Sequence, residues 1–358
     1  MGRRSRSSIV ALCISMAISL HAQERVWHFA VSGDSRNCGD IVVPTIAADA
    51  AAKGAQFYWH LGDLRAIYDF DVDILKAKDR IGKPPLTISA YEQLAWSDSI
   101  QHQLAAFGDM PVFLGIGNHE TIAPKDRTQF VIQFADWLDT PVLREQRLKD
   151  DPNDHVLKTY YHWIRDGIDF VYLDNTTGNE IDRLQLAWFE RVIDGDAKDN
   201  TVKGIVVGMH APLPDSLSYA HSMSDTPQGE QSGRRVYADL LKIRNGGKRV
   251  FVLASHSHFY MANIFNSEYW KAHGGVLPGW IVGTAGAFRY RLPPTASQAD
   301  AALEDVYGYL LGTVHPDGSV EFAFQQMKRA DVSPSVKDRY APEVIDECFM
   351  GNSETQRQ

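Results

Sequence analysis

The chain has 358 residues, 44% hydrophobic and 23% charged, enough apolar material for one large core or two small ones. This composition excludes a disordered, collagen-like or coiled-coil protein. Lysine and arginine number 36 against 45 acids, a formal net charge of −9, and no long run of like charge appears, so the basic footprint of a nucleic-acid binder is missing.

In chain order, the first feature is a cationic start with Arg3, Arg4 and Arg6, an apolar run over 9–20 and a small residue, Ala22. Residues 1–22 therefore read as a secretory signal peptide that is removed. A run of about a dozen residues is too short for a bilayer, which needs about 20. An exported protein is expected, periplasmic or extracellular, more acidic after processing and without a membrane span in the mature chain. Cys13 leaves with the leader, so Cys38 and Cys348 remain. Two thiols in an oxidising compartment suggest one disulfide; two unrelated cysteines are the alternative. The bridge would close a loop of roughly three hundred residues, for which chain-entropy models give about 5 kcal/mol.

Residues 23–330 read as one domain, since no repeat or linker divides them, and 331–358 as a C-terminal tail that a Cys38–Cys348 bridge would tether. Short runs rich in β-branched and aromatic residues predict buried strands at 26–31, 56–61, 112–116, 169–173, 204–209, 249–254 and 280–282. Helical patterns lie between them: 44–53, with Pro44 at its start, then 91–107, 127–138, 183–193 and 235–243. On the fourth of these, Trp188 at helical spacing from Leu184 reads as core. Residues 307–314 and 320–327 flank His315-Pro-Asp-Gly318 as a hairpin, which makes the sheet mixed. Segments 66–86 and 211–233 fit no simple element and read as surface loops near a site.

The residues with chemistry follow strand ends: Gly33-Asp34, Gly62-Asp63, Gly117-Asn118-His119-Glu120, Met209-His210 and Ser255-His256-Ser257-His258. In an open α/β sheet such ends share one crevice, and glycine before the ligand permits the tight turn. Aspartate, asparagine and histidine together suit a pair of divalent first-row metals. No Gly-x-Ser-x-Gly elbow exists to support a serine hydrolase.

This series resembles the calcineurin-like metallophosphoesterases, whose motifs run Asp, Gly-Asp, Gly-Asn-His-Asp/Glu, His, Gly-His-x-His. Phe170-Val-Tyr-Leu-Asp174, Gln185-Leu-Ala-Trp188-Phe and Gly283-Thr-Ala-Gly286 extend the similarity across about residues 26–327. The resemblance implies an α/β, four-layer αββα sandwich of two mixed sheets with helices outside. It implies two divalent transition metals (Mn, Fe or Zn), with Asp63 bridging, Asp34 and His258 completing the first site, and Asn118, His210 and His256 the second. It also implies a metal-activated water that attacks phosphorus in line, with His119 as general acid or phosphate contact. The expected substrate is a small-molecule phosphoester, mono- or diester.

Two departures stand out. Many relatives have Asp-x-His first, whereas this chain has Asp34-Ser35-Arg36; Arg36 could bind a substrate phosphate in bidentate fashion. Purple acid phosphatases lack that histidine too, but carry a tyrosine where Ala66 stands, so a purple enzyme is not expected. Tyr68 reads as a loop aromatic, with ligation from a distorted loop as the alternative, and His221 is a further candidate for substrate contact. Glu120 reads either as orienting His119 or a metal-bound water, or as a turn carboxylate. The competing functional readings are a phosphoesterase-fold binder without turnover and a hydrolase with a single metal.

Overall fold

The computed structural model describes residues 26–176 and 178–350, so the expected leader, its cleavage point and Cys13 lie outside the described residues. The strands run β1 (Trp27–Ser32), β2 (Ala55–His60), β3 (Val112–Leu114), β4 (Tyr161–Arg165), β5 (Ile168–Leu173), β6 (Gly204–Met209), β7 (Arg249–Ala254), β8 (Tyr260–Ala262), β9 (Gly279–Val282), β10 (Ala301–Leu303), β11 (Tyr307–Val314) and β12 (Val320–Met327). They form a five-stranded sheet, β12-β11-β1-β2-β3, and a seven-stranded sheet, β10-β8-β9-β7-β6-β5-β4. In the first, β1, β2 and β3 are parallel and the hairpin β11–β12 joins antiparallel. In the second, β5, β6, β7 and β9 are parallel, β4 pairs antiparallel with β5 at one edge, and at the other end β8 pairs antiparallel with both β9 and the edge strand β10. The architecture is the α/β arrangement of two mixed sheets flanked by helices.

The apolar runs become central strands because they are covered on both sides, which removes any need for alternation. An aromatic layer fills the space between the sheets. Phe29 stacks on Phe57 at 5.1 Å, and Phe113 from the first sheet stacks on Trp163 from the second at 3.9 Å. Each such buried ring is worth on the order of 1.5–3 kcal/mol of transfer free energy, so this layer fixes how the sheets face each other. On the outer side of the second sheet, Val171, Leu173 and Val207 share a core with Phe189 and Ile193 of one helix and Tyr237 and Leu240 of another.

The longer helices are α1 (Gly39–Ala52), α2 (Ile88–His102), α3 (Arg127–Gln133), α4 (Pro141–Asp150), α5 (Arg183–Lys198), α6 (Pro227–Asn245) and α7 (Pro342–Phe349). Several differ from the sequence expectation. Pro44 lies inside α1 rather than at its start: the helix begins directly after the site loop and runs through the proline near its first turn. Residues 127–138 break at Phe134 into α3 and a short turn, Ala135–Leu138. The segment 211–233 is not all loop, since α6 starts at Pro227 with Thr226 capping the N–H of Gly229, a proline-at-the-start signal that polar surroundings obscured. Within 66–86, Asp71, Asp73, Ile74 and Ala77 are buried, so that segment is not simply surface. Trp188 is core only in part: it is half-buried against the outer core of the second sheet, while its other side lines an open cleft of about 1000 Å³ with Tyr160 and His162 and Leu184 is 74% exposed. The inward face of α5 is Gln185, Phe189 and Ile193.

Cys38, at the N-terminus of α1, is bridged to Cys348 of α7 with Cα atoms 6.0 Å apart. Val336, Tyr340 and Ile345 join the core of the first sheet, so residues after 330 pack against the domain.

Candidate metal centre

The parallel strands of both sheets end at one seam. The N–H of Gly33, after β1, donates to Val282 O at the end of β9 (3.1 Å), and Asp34 N–H donates to Gly62 O (2.9 Å). Asp34, Asp63 and Asn118 therefore come from the first sheet, and His210, His256 and His258 from the second. Three of these residues hold left-handed backbone: Asp34 at φ 60°, Asp63 at 62° and His256 at 66°. For residues other than glycine this costs roughly 1–2 kcal/mol each, and it persists where surroundings over-determine it. At Gly117 a Cβ would fall 2.2 Å from Asp63 Oδ1, and at Gly283 it would fall 2.7 Å from Asp34 Oδ2. Side chains at either position would collide with the carboxylates.

Asp63, His210 and His256 offer ligand atoms that all lie within 4.8 Å of one another. His210 Nδ1–H donates to Leu61 O at 3.0 Å, which turns the Nε2 lone pair inward. There Nε2 lies 2.9 Å from Asn118 Oδ1, 3.0 Å from His256 Nδ1 and 3.4 Å from Asp63 Oδ2. Acceptors thus converge on one another. Asp63 Oδ2 is buried and accepts no hydrogen bond. Without a cation, a proton at His210 or His256 eases this crowding: burial opposes a charge on His210, but Asp63 and then Asp34 push it up to about 9. Asp63 is held well below the carboxylate range despite its burial, by His119, His210 and Arg36. An oxygen and nitrogen donor set of this kind fits a divalent transition metal.

The other half is built differently. Asp34 Oδ2 accepts the His256 N–H at 2.7 Å, while Oδ1 is buried, accepts no hydrogen bond and lies 3.2 Å from His258 Nε2. Arg36, 8% exposed, reaches into this space. Its Nη1 donates to His119 Nε2 at 2.6 Å and its Nη2 to His258 Nε2 at 3.1 Å. Burial disfavours its charge, but Asp63, Tyr290 and Asp34 raise its pKa above the ordinary arginine value. His119 Nδ1–H donates to Ala66 O at 2.6 Å, so its Nε2 carries no proton in this arrangement. Burial, and then Arg36, bring His119 down to about 4 against the pull of Asp63.

His221 lies at the rim, its ring 5.4 Å from His256 and stacked at 5.1 Å on Tyr290. Tyr290 in turn stacks on His258 at 3.9 Å. No motif marked Tyr290 in the sequence, because its position depends on the loop after β9. Tyr68 is 61% exposed with its ring 5.2 Å from His119. His60 is buried with Nε2 3.0 Å from Ser35 Oγ, and accepts the Gly62 N–H at Nδ1; it braces both aspartate turns. Asp174 and Gln185 are scaffold: Gln185 Oε1 accepts the Asp174 N–H, and Asp174 pairs with Arg127 at 2.6 Å.

A sandwich of two mixed sheets with aspartate, asparagine and histidine gathered at the strand ends defines a metallophosphoesterase. The chain belongs to the calcineurin-like phosphoesterases, whose family model matches residues 39–260. That range holds Asp63, Asn118, His210, His256 and His258; Asp34 and Arg36 precede it. Among solved structures, PhoD is similar at 16% identity and a TM-score of 0.52, over 84% of this chain and 68% of that one. A dimetal phosphatase from Danio rerio is similar at 11% identity and a TM-score of 0.50, over 84% and 98%. These likenesses are of fold. Comparison with curated protein sequences finds no match.

Proposed function

We propose that the protein is a metal-dependent phosphoester hydrolase acting on small-molecule phosphomonoesters or phosphodiesters after export to the periplasm or the exterior. The observation that carries this reading is the convergence of Asp63 Oδ2, Asn118 Oδ1, His210 Nε2 and His256 Nδ1, acceptors that a cation would satisfy together. These four residues would hold a divalent ion, which supplies charge neutralisation and activation of water. Asp34 and His258 complete the carboxylate and imidazole set on the Arg36 side. Arg36 presents a planar fork of N–H donors suited to phosphoryl oxygens. His119 sits beside it, and to donate a proton to a leaving oxygen it must first gain one at Nε2 and release Arg36. His221 and Tyr290 line the rim, where the remainder of a substrate would lie.

The test is hydrolysis of a panel of phosphomonoesters and phosphodiesters by protein reconstituted with Mn, Fe or Zn, beside Asp63→Asn. We expect turnover by the wild type and, for Asp63→Asn, a loss on the order of a hundredfold or more with circular dichroism unchanged. Wild-type protein that binds metal yet turns over nothing would replace this reading with a binding protein on the same fold.

A further inference from the structure

The loop after β1 aims a cationic side chain into the space between Asp34, His119 and His258. Ser35 Oγ donates to Gln103 Oε1 at 2.7 Å, and Asn37 N–H donates to Asp71 Oδ1 at 2.6 Å. Arg36 is thus pinned on both sides and directed inward. Its guanidinium bonds are to imidazole nitrogens at 2.6 and 3.1 Å, and Nη2 lies 3.5 Å from the Tyr290 hydroxyl that roofs the pocket.

His258 decides what this pocket can hold. Its Nδ1–H is committed to Phe288 O at 2.5 Å, which leaves the one lone pair of Nε2 for a partner. That lone pair accepts from Arg36 Nη2. An imidazole nitrogen cannot serve an N–H donor and a metal ion at once, and a fixed positive charge beside the same carboxylate repels a further cation. Where relatives place the histidine of Asp-x-His, this chain therefore loses a ligand and gains a charge. The Asp63, Asn118, His210 and His256 set suffers neither change.

Building on the hydrolase reading, we infer that the Arg36 guanidinium takes the place of the first metal ion, so that the centre binds a single divalent ion beside a built-in organic cation. The guanidinium brings a single charge and directional N–H donors where an ion would bring two charges and open coordination. Arg36 is then a cation of the centre itself and not merely a contact for incoming substrate.

Elemental analysis and electron paramagnetic resonance of the full chain reconstituted with Mn test this without any assay of turnover. We expect about one ion per wild-type chain with the spectrum of isolated Mn(II), and about two ions with exchange coupling in Arg36→His, which supplies the missing ligand. Arg36→Ala, which only removes the charge, serves the same purpose should Arg36→His fail to fold. Two ions in the wild type would overturn the inference and leave the hydrolase reading standing. So would a variant that folds yet stays at one ion. No bound ion in the wild type would overturn both.

Discussion

Glu120 grips the turn of Asp63: its Oε2 accepts the Asp63 N–H at 2.9 Å and its Oε1 the Leu64 N–H at 2.9 Å. The same Oε2 accepts Gly117 N–H at 2.7 Å, so one buried carboxylate binds the loops after β2 and β3 together. Glu120 works on backbone, which settles the sequence alternatives in favour of the turn carboxylate. Glu120→Ala would strand three buried N–H groups at about 1–3 kcal/mol each. We expect a loss of about 3 kcal/mol or more in urea unfolding of metal-free protein, with Glu120→Gln intermediate; a loss near zero would remove this role.

Arg65, two residues after Asp63, is the centre of a buried charge cluster. Its Nε donates to Ser99 Oγ at 2.9 Å, Nη1 to Asp73 at 3.0 Å, and Nη2 to both Asp40 and Asp98. Arg65→Met leaves Asp73 buried without its cation and Asp40 and Asp98 with Arg339 as their remaining guanidinium, at a cost of about 3–5 kcal/mol. Burial has already pushed Asp98 up to about 7, so without Arg65 the carboxylates take up protons readily. The deficit of the variant should shrink as unfolding is measured at progressively lower pH.

The sequence carried the central strands and the ligand order because both depend on local signals: apolar runs, and glycine followed by a polar residue. It carried less where tertiary contact decides. The short strands β8 and β10 at one end of the second sheet, with three residues each, gain their partners only in the sheet. The Arg65 cluster gathers Asp40, Asp73 and Asp98 from separate segments, which no spacing rule connects. The site residues Asp34 to His258 were legible from motif order, whereas the inward turn of Arg36 depends on Gln103 and Asp71 holding its neighbours.

His162 gives the fold a pH dependence away from the metal centre. Burial opposes its charge, but Asp169 at 2.8 Å and Asp150 at 2.6 Å push it up to about 10. Because the folded value exceeds the ordinary 6.5, the stability it contributes is complete below pH 6.5 and is lost as pH rises through about 10. His162→Asn should therefore cost about 3 kcal/mol at pH 6. The gap to wild type should narrow near pH 10, as read by denaturant unfolding at both pH values. A gap independent of pH would mean that His162 is neutral in the fold.

The disulfide ties α7 to the start of α1, two residues beyond Arg36. Cys348→Ser should lower stability by about 2–5 kcal/mol, read from urea midpoints at constant slope. Reductant should lower the wild type by the same amount and leave the variant unchanged. An effect of reductant on the variant would point to some other target.

Asp34, Asp63 and Asn118 hang from one sheet, and His210, His256 and His258 from the other. An ion held by Asp63 and Asn118 on one side and His210 and His256 on the other would act as a rivet through two plates: neither plate carries enough ligands to retain it alone, and the bound ion would resist their parting. Its grip on the folded state grows with the logarithm of free metal. Metal supply in the surroundings would thereby set how long the joint stays closed against proteolysis.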